Sequence, residues 1–318
     1  MEPYTEQVVL LDGQAVSFPR NQKHPPQDSA LAAGEALSSI SLSNSTAVQY
    51  GDYGVPMVDG SIYMCFQNLF KIQPVFDTII TRILHADKDG HAILQASRSY
   101  HKTNLVQERI RAHVIDEVCQ QESHEICSAA QDILRRIHFI PRVTSNELGS
   151  LFQKATVVLH PFPFGGSKTA SDVLGSGVPL VTYPQRYLRG RLAATFYATM
   201  ALHEIDSEVA ISKCCVANDV ADYVSKAVRL GMDAEYRKRV ASAIDARSSR
   251  IYDDHEVSLE WARFITRALG VSIKPEELAL EMEYVPESWQ TDSFHQKVIR
   301  DQQSRWKKAK LEQFILSQ

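Results

Sequence analysis

The sequence predicts an α/β fold: a Rossmann-like, doubly wound parallel sheet, with a helical C-terminal tail. Two stretches carry that prediction. In the first, Thr156-Val157-Val158-Leu159 reads as a buried strand and the loop 160–166 ends in Gly165-Gly166. Residues 167–174 then open a helix closed by Gly175 and Gly177, and 178–183 read as the next strand. In the second, residues 61–95 repeat the strand–helix–strand pattern, and right-handed crossovers place all these strands parallel in one sheet. Composition permits it: 318 residues with 44% hydrophobic and 23% charged content suit a soluble globular chain with a sizeable core.

In chain order, Val8-Val9-Leu10-Leu11 before Asp12-Gly13 reads as one short strand within 1–19. Residues 20–59 are rich in Pro, Ser and Ala and poor in large apolar residues; they read as a linker with a short helix near 29–37. A strand spans 61–66. Pro74 suits the first turn of a helix over 75–85, where Phe76, Ile79, Ile80, Ile83 and Leu84 recur at helical spacing. Asp87-Lys88-Asp89-Gly90 turns the chain into a strand over 91–95. Helices are expected near 104–119 and 124–136, then a strand over 137–141. Thr144 reads as an N-cap, with Glu147 completing a capping box for a helix to Lys154.

Beyond the 156–191 stretch, a helix is expected over 192–200 and a short strand at Val209-Ala210-Ile211. Three further helices are read near 218–230, 234–250 and 254–269, with Asn218 as an N-cap and Gly231 and Gly270 as stops. The text after 271 is charged and helical, and its basic run 304–310 reads as a solvated helix face.

Several function classes recede on composition. A net charge of -4 gives no electrostatic case for nucleic acid. No run approaches the length of a membrane span, and the acidic N-terminus lacks the basic region of a signal peptide, so cytoplasmic residence is expected, with the nucleus an alternative. Five cysteines, two of them adjacent, suggest buried thiols rather than a disulfide framework, and none has zinc-site spacing.

What remains is a phosphate site. A helix N-terminus directly after Gly165 and Gly166 offers free amides and the positive end of the helix dipole. Ser167, Lys168 and Thr169 add hydroxyls and a cation, so a diphosphate is the natural guest. A plain tight turn is the competing reading, because neither a P-loop nor a dinucleotide glycine motif is present.

Three separated motifs then agree: YTEQVVLLDG, YMCFQNLFKIQP and LHPFPFGGSKTASDVLGSGVPLVTYPQRYLRGR. Together they resemble the C-terminal catalytic lobe of the O-linked N-acetylglucosamine transferase family, including its SPINDLY-like and bacterial members. The resemblance covers roughly residues 61–269, with a trace at 4–13. It implies the C-terminal half of a GT-B glycosyltransferase, divided into a remnant of the N-terminal lobe (1–19), a linker (20–59), a UDP-sugar-binding lobe (60–270) and a helical extension (271–318). It implies transfer of a sugar, N-acetylglucosamine first among the candidates, from UDP to a protein side chain, with inversion and without metal or other cofactor.

By the same resemblance Lys71 contacts the diphosphate and is the catalytic cation, neutralising charge as the sugar–phosphate bond breaks. Asn68 lies near the diphosphate or sugar; Gly165, Gly166, Ser167, Lys168 and Thr169 hold phosphate; Asp172 accepts from the ribose; and backbone at Val143 meets uracil. The sequence departs from some relatives at Ser145 and Leu148, where they carry a lysine and a histidine. Arg186, Arg189 and Arg191 suggest loop stabilisation or phosphate proximity, and His160 reads as structural. A first lobe that supplies acceptor contacts in relatives has no counterpart of matching length, so the alternative is an inactive or partner-dependent nucleotide-sugar-binding fragment. A UDP-sugar epimerase is a lesser alternative, since its set of carboxylates and histidine is not found.

Overall fold

Residues 18, 49–56, 60–119, 127–184, 187–252 and 255–269 are described by the computed structural model. Five strands form one parallel sheet: β1 Ile62–Cys65, β2 His91–Gln95, β3 Ile137–Ile140, β4 Val157–Leu159 and β5 Leu180–Val181. A parallel sheet covered on both faces needs nearly continuous apolar strands, and Met64, Ile93, Leu94, Val157, Val158 and Val181 are all buried.

The strand order is β3-β2-β1-β4-β5. From β1 the chain steps outward through β2 to β3, then crosses back over β1 to lay down β4 and β5. That reversal leaves a crevice at the carboxyl ends of β1 and β4, where the two departing connections run in opposite directions.

The connecting helices are α1 Pro74–Ala86, α2 Tyr100–Val118, α3 Ser128–Arg135, α4 Ser145–Lys154 and α5 Ser167–Gly175. Pro74 stands at the start of α1, as its missing N–H allows. The expected capping box of α4 is present: Thr144 accepts from the Glu147 amide, and Glu147 accepts from the Thr144 amide at 2.7 Å. After the sheet come α6 Leu192–Met200, α7 Ile211–Cys214, α8 Val220–Met232, α9 Ala234–Arg247 and α10 His255–Leu269.

Several sequence expectations give way. The strand expected at 209–211 is a short 3-10 turn, Ser207–Val209, followed by α7; Ala210 instead accepts helical hydrogen bonds from the amides of Lys213 and Cys214. The bridge to the sheet falls five residues later, between Val216 and Thr182. A three-residue apolar run carries too little period to separate strand from turn. Asp219, not Asn218, caps α8, accepting from Asp222 at 2.8 Å. Gly231 lies inside α8 rather than stopping it. A Cβ there would come within 1.9 Å of the Tyr63 hydroxyl, so the glycine lets α8 close on β1. The cysteine expectation fails for four of five: Cys119 pairs with Cys127 between the end of α2 and the start of α3, and Cys214 pairs with Cys215. Packing of α2 on α3 brings the first pair together, a tertiary effect that spacing does not show. Cys65 is a buried thiol.

The chain divides into two compact units, 20–249 and a second comprising 1–19 with 250–318. The sheet lies wholly in the first. In the second, Phe18 and Tyr252 form a parallel bridge, and α10 has a buried stripe that includes Val257 and Leu259. The short strand read at 8–11, the helix near 29–37, Gly270 and the extension 271–318 lie outside the described residues. Among the described residues no helix is long and apolar enough to cross a membrane.

One ion pair fixes the segment leaving β1. Arg109 on α2 grips Asp77 in the first turn of α1 through two hydrogen bonds, of 2.7 and 2.9 Å, and donates to the Ile72 carbonyl at 2.8 Å. Asp77 is buried, and burial raises its pKa in spite of Arg109, so its charged form depends on that guanidinium. Arg109→Met is expected to destabilise the first unit by about 2–3 kcal/mol, read from urea unfolding. A change within a few tenths would show that the pair does not hold this segment.

Candidate functional site

Two loops meet in the crevice. The first leaves β1 as Phe66-Gln67-Asn68 and closes into the 3-10 turn Leu69–Lys71. The second leaves β4 at His160 and runs to Gly166, the N-cap of α5. Lys71 joins them: its ammonium donates to Gln67 Oε1 at 2.9 Å and to the Gly165 carbonyl at 3.0 Å. It also lies 4.4 Å from the centre of the Phe164 ring. Each of these groups is neutral, and among the described residues Lys71 has no carboxylate partner. Burial lowers its pKa, because a half-buried cation has given up water without gaining a counter-charge.

The second loop is built on His160. The imidazole is buried and accepts a 2.8 Å hydrogen bond from the Gly166 amide at Nε2. Nδ1 lies 3.0 Å from the Thr182 hydroxyl. A ring that accepts at Nε2 must be neutral and carry its proton on Nδ1, so Thr182 receives that proton and fixes the tautomer. Burial depresses the pKa to about 4, the Gly166 bond opposing this and Lys71 adding to it. Its carbonyl accepts from the Tyr223 hydroxyl at 3.2 Å. Phe162, two residues on, is buried among Phe76, Tyr183 and Tyr223 at edge-on or tilted angles. The Phe-Pro-Phe segment thus points one ring into the core and leaves Phe164 at the surface beside Lys71.

Packing beneath the turn gives the two glycines a reason of its own. A Cβ on Gly165 would lie 1.9 Å from His160 Cε1, and one on Gly166 would lie 2.3 Å from the Gln67 amide nitrogen. Neither glycine has a positive φ. The missing side chains therefore make room for His160 and Gln67 beneath the turn, and these two set the turn's shape. Gly165→Ala should accordingly lower stability by about 1–3 kcal/mol through overpacking against an immobile ring, measurable by thermal unfolding. An unchanged melting temperature would mean the ring can move aside.

Of the other expected site residues, Ser167, Lys168 and Thr169 form the first turn of α5, which no side chain caps, unlike α4, α8 and α9. Ser167 and Thr169 are half-buried. Lys168 pairs with Asp172 one turn along the same helix. Asn68 is exposed and caps the 3-10 turn through the Phe70 amide. Val143 follows β3, two strand positions from β1, or about 10 Å along the carboxyl edge. The structure thus brings Lys71 into contact with Gly165, sets Gly166 and the 167–169 turn next along the chain, and leaves Asn68 and Val143 on the rim. Arg186 lies outside the described residues. Gln67 is the site residue the sequence reading missed, and the clue was a polar residue straight after a buried strand; His160, read as structural, is the buried support of the turn.

A groove of about 390 Å³ opens at the opposite, amino-terminal edge of the sheet, lined by Gly175, Ser176, Arg237 and Lys238 among others. It meets the C-terminal ends of α4 and α5, whose dipoles disfavour an anion, and the start of α9 there is already capped by Asp233, so the carboxyl edge is the better phosphate site.

A family model described as glycosyl transferase family 41 matches residues 8–257, most of the chain. The chain belongs to glycosyl transferase family 41. Among solved structures, this family 41 chain is similar to a mutant of the Thermobaculum terrenum O-GlcNAc transferase at 18% identity and a TM-score of 0.52, covering 67% of this chain and 36% of that one. It also matches Anabaena Alr3699/HepE, solved in complex with UDP and glucose, at 15% identity and a TM-score of 0.41, covering 65% and 48%. The chain therefore spans less than half the length of either. The Rossmann-like α/β lobe of GT-B type expected from the sequence is the architecture found, and the resemblance to the transferase family holds.

Proposed function

We propose that the crevice between β1 and β4 holds the diphosphate of a UDP-sugar, and that the lobe serves transfer of that sugar to a protein side chain. The observation that carries this reading is Lys71: a half-buried ammonium with neutral partners, facing an uncapped helix N-terminus across a glycine turn. An anion placed there gains a cation and the amides of α5 together, and relieves the desolvated charge. With the diphosphate at β1 and β4, the nucleoside extends along the carboxyl edge toward Val143, a reach of about 10 Å that suits a nucleotide. Asp172 is the candidate ribose acceptor, which requires it to exchange or share Lys168.

In the reaction, an acceptor hydroxyl attacks the anomeric carbon from the face opposite the phosphate and gives up its proton to solvent as the new bond forms. The bond from that carbon to the β-phosphate oxygen breaks and its electron pair stays on UDP, so the configuration inverts. Lys71 and the α5 amides meet the charge that grows on the leaving oxygen, a transition-state effect that asks for no nucleophile on the enzyme. The proposal assigns positive charge to protein groups and includes no metal or other cofactor. N-acetylglucosamine is the donor sugar proposed, on family membership. A first lobe or partner chain supplying acceptor contacts, and cytoplasmic residence, complete the proposal.

Calorimetric titration with UDP and with UDP-N-acetylglucosamine tests the first step. Binding of both, unaffected by EDTA, is expected. Absence of UDP binding would end the reading.

A further inference from the structure

We propose that Arg189 is a second cation for the diphosphate, acting across the glycine turn from Lys71. This rests on the reading of the crevice given above and adds a residue to it. Three observations set Arg189 apart from its neighbours. Its backbone is tied to the turn, since the Arg189 carbonyl accepts from the Gly165 amide at 3.2 Å. Gly190 follows against the Pro163 carbonyl, where a Cβ would come within 2.7 Å. The 3-10 turn Leu188–Gly190 is therefore tied to the 163–165 segment.

The guanidinium is held by rings. Its carbon lies 5.7 Å from the centre of Phe164 and 5.0 Å from the centre of Tyr187. Lys71 Nζ lies 4.4 Å from that same Phe164 ring, which bounds the gap between the two cations at about 10 Å. Among the described residues the guanidinium meets neither a carboxylate nor a carbonyl. Stacking occupies the faces of an arginine and leaves its N–H edges free to grip a phosphate through two hydrogen bonds. Two cations without a carboxylate, on one ring, beside the first-turn amides of α5, fit a ligand whose charge spreads over two adjacent phosphates. A monophosphate reaches one of them.

Lys71, a point charge on the inner side, marks the oxygen next to the broken bond. Arg189, on the exposed rim, steadies the other oxygens and senses a diphosphate against a monophosphate.

UDP and UMP are titrated by calorimetry into the wild-type chain, Arg189→Ala and Arg189→Lys, with melting temperature as the fold control. UDP affinity should fall roughly tenfold or more in the alanine variant and recover in part in the lysine variant, while UMP affinity changes much less. Added salt should narrow the wild-type advantage. If the wild type binds UDP and both variants match it, Arg189 plays no such part. Equal losses for UDP and UMP would reduce it to a structural residue. Failure of the wild type to bind UDP would instead strike the crevice reading and this inference with it. A misfolded alanine variant leaves the lysine variant to decide, by its UDP-to-UMP ratio.

Discussion

Lys71→Met is expected to weaken UDP binding by about two orders of magnitude while leaving the free protein as stable as before, or slightly more so. The two halves of this expectation have one cause. In the free protein the ammonium is partly desolvated, donates to Gln67 and Gly165, and has no carboxylate partner among the described residues, so folding gains little from its charge. Methionine keeps the length and apolar stem and removes that burden. The bound diphosphate, by contrast, loses a charge-assisted contact worth about 1.5–3 kcal/mol. Calorimetry reads the first effect and thermal unfolding the second. A variant that melts well below the wild type would make Lys71 a structural residue, and one that binds UDP normally would free it of any phosphate role.

The second large effect concerns His160 and pH. Its pKa in the folded protein, about 4, lies below the ordinary imidazole value near 6.5 that the unfolded chain has. Between those values the unfolded chain binds the extra proton and the folded one does not. The contribution of His160 is therefore intact above about pH 6.5, and it falls as pH drops toward 4. The loss amounts to roughly 3 kcal/mol. Replacing His160 with alanine leaves the Gly166 amide and the Thr182 hydroxyl without their partner in a buried place, which costs about 3 kcal/mol or more at neutral pH. Urea unfolding of both proteins should thus show a gap that is wide near pH 7.5 and shrinks markedly by pH 4. The difference between them removes His91 and His138, whose pKa values are also lowered by burial and would tilt each curve in the same direction. A gap that stays constant with pH would contradict the neutral, Nδ1-protonated ring.

Most of the sheet was legible in the sequence because parallel strands buried on both faces must be apolar runs, as β1, β4, β5 and the centre of β2 are; the edge strand β3 is half-buried and carries His138. Pro74 and the Thr144–Glu147 pair marked helix starts for the same reason: the chemistry is local. What could not be read is what depends on residues far apart. Arg109 and Asp77 are 32 positions apart, and His160 and Thr182 are 22 apart. Nothing in the neighbourhood of His160 says that its ring will lie under Gly165. The paired glycines stand out in the sequence, but that their room is filled from below by His160 and Gln67 does not. Lys71 was identified through family resemblance, and its missing counter-charge became visible only in three dimensions. The run 209–211 failed because three apolar residues fit a turn as well as a strand.

The central claim is a place: a diphosphate held between the Lys71 ammonium and the first turn of α5. Amide resonances of a nitrogen-labelled chain, followed during titration with UDP, report on that place directly. The largest shifts should fall on Gly166, Ser167, Lys168 and Thr169, and they should vanish in Lys71→Met at the same UDP concentration. Shifts centred on the opposite edge of the sheet, around Ser176 and Lys238, or equal shifts in the variant, would contradict it.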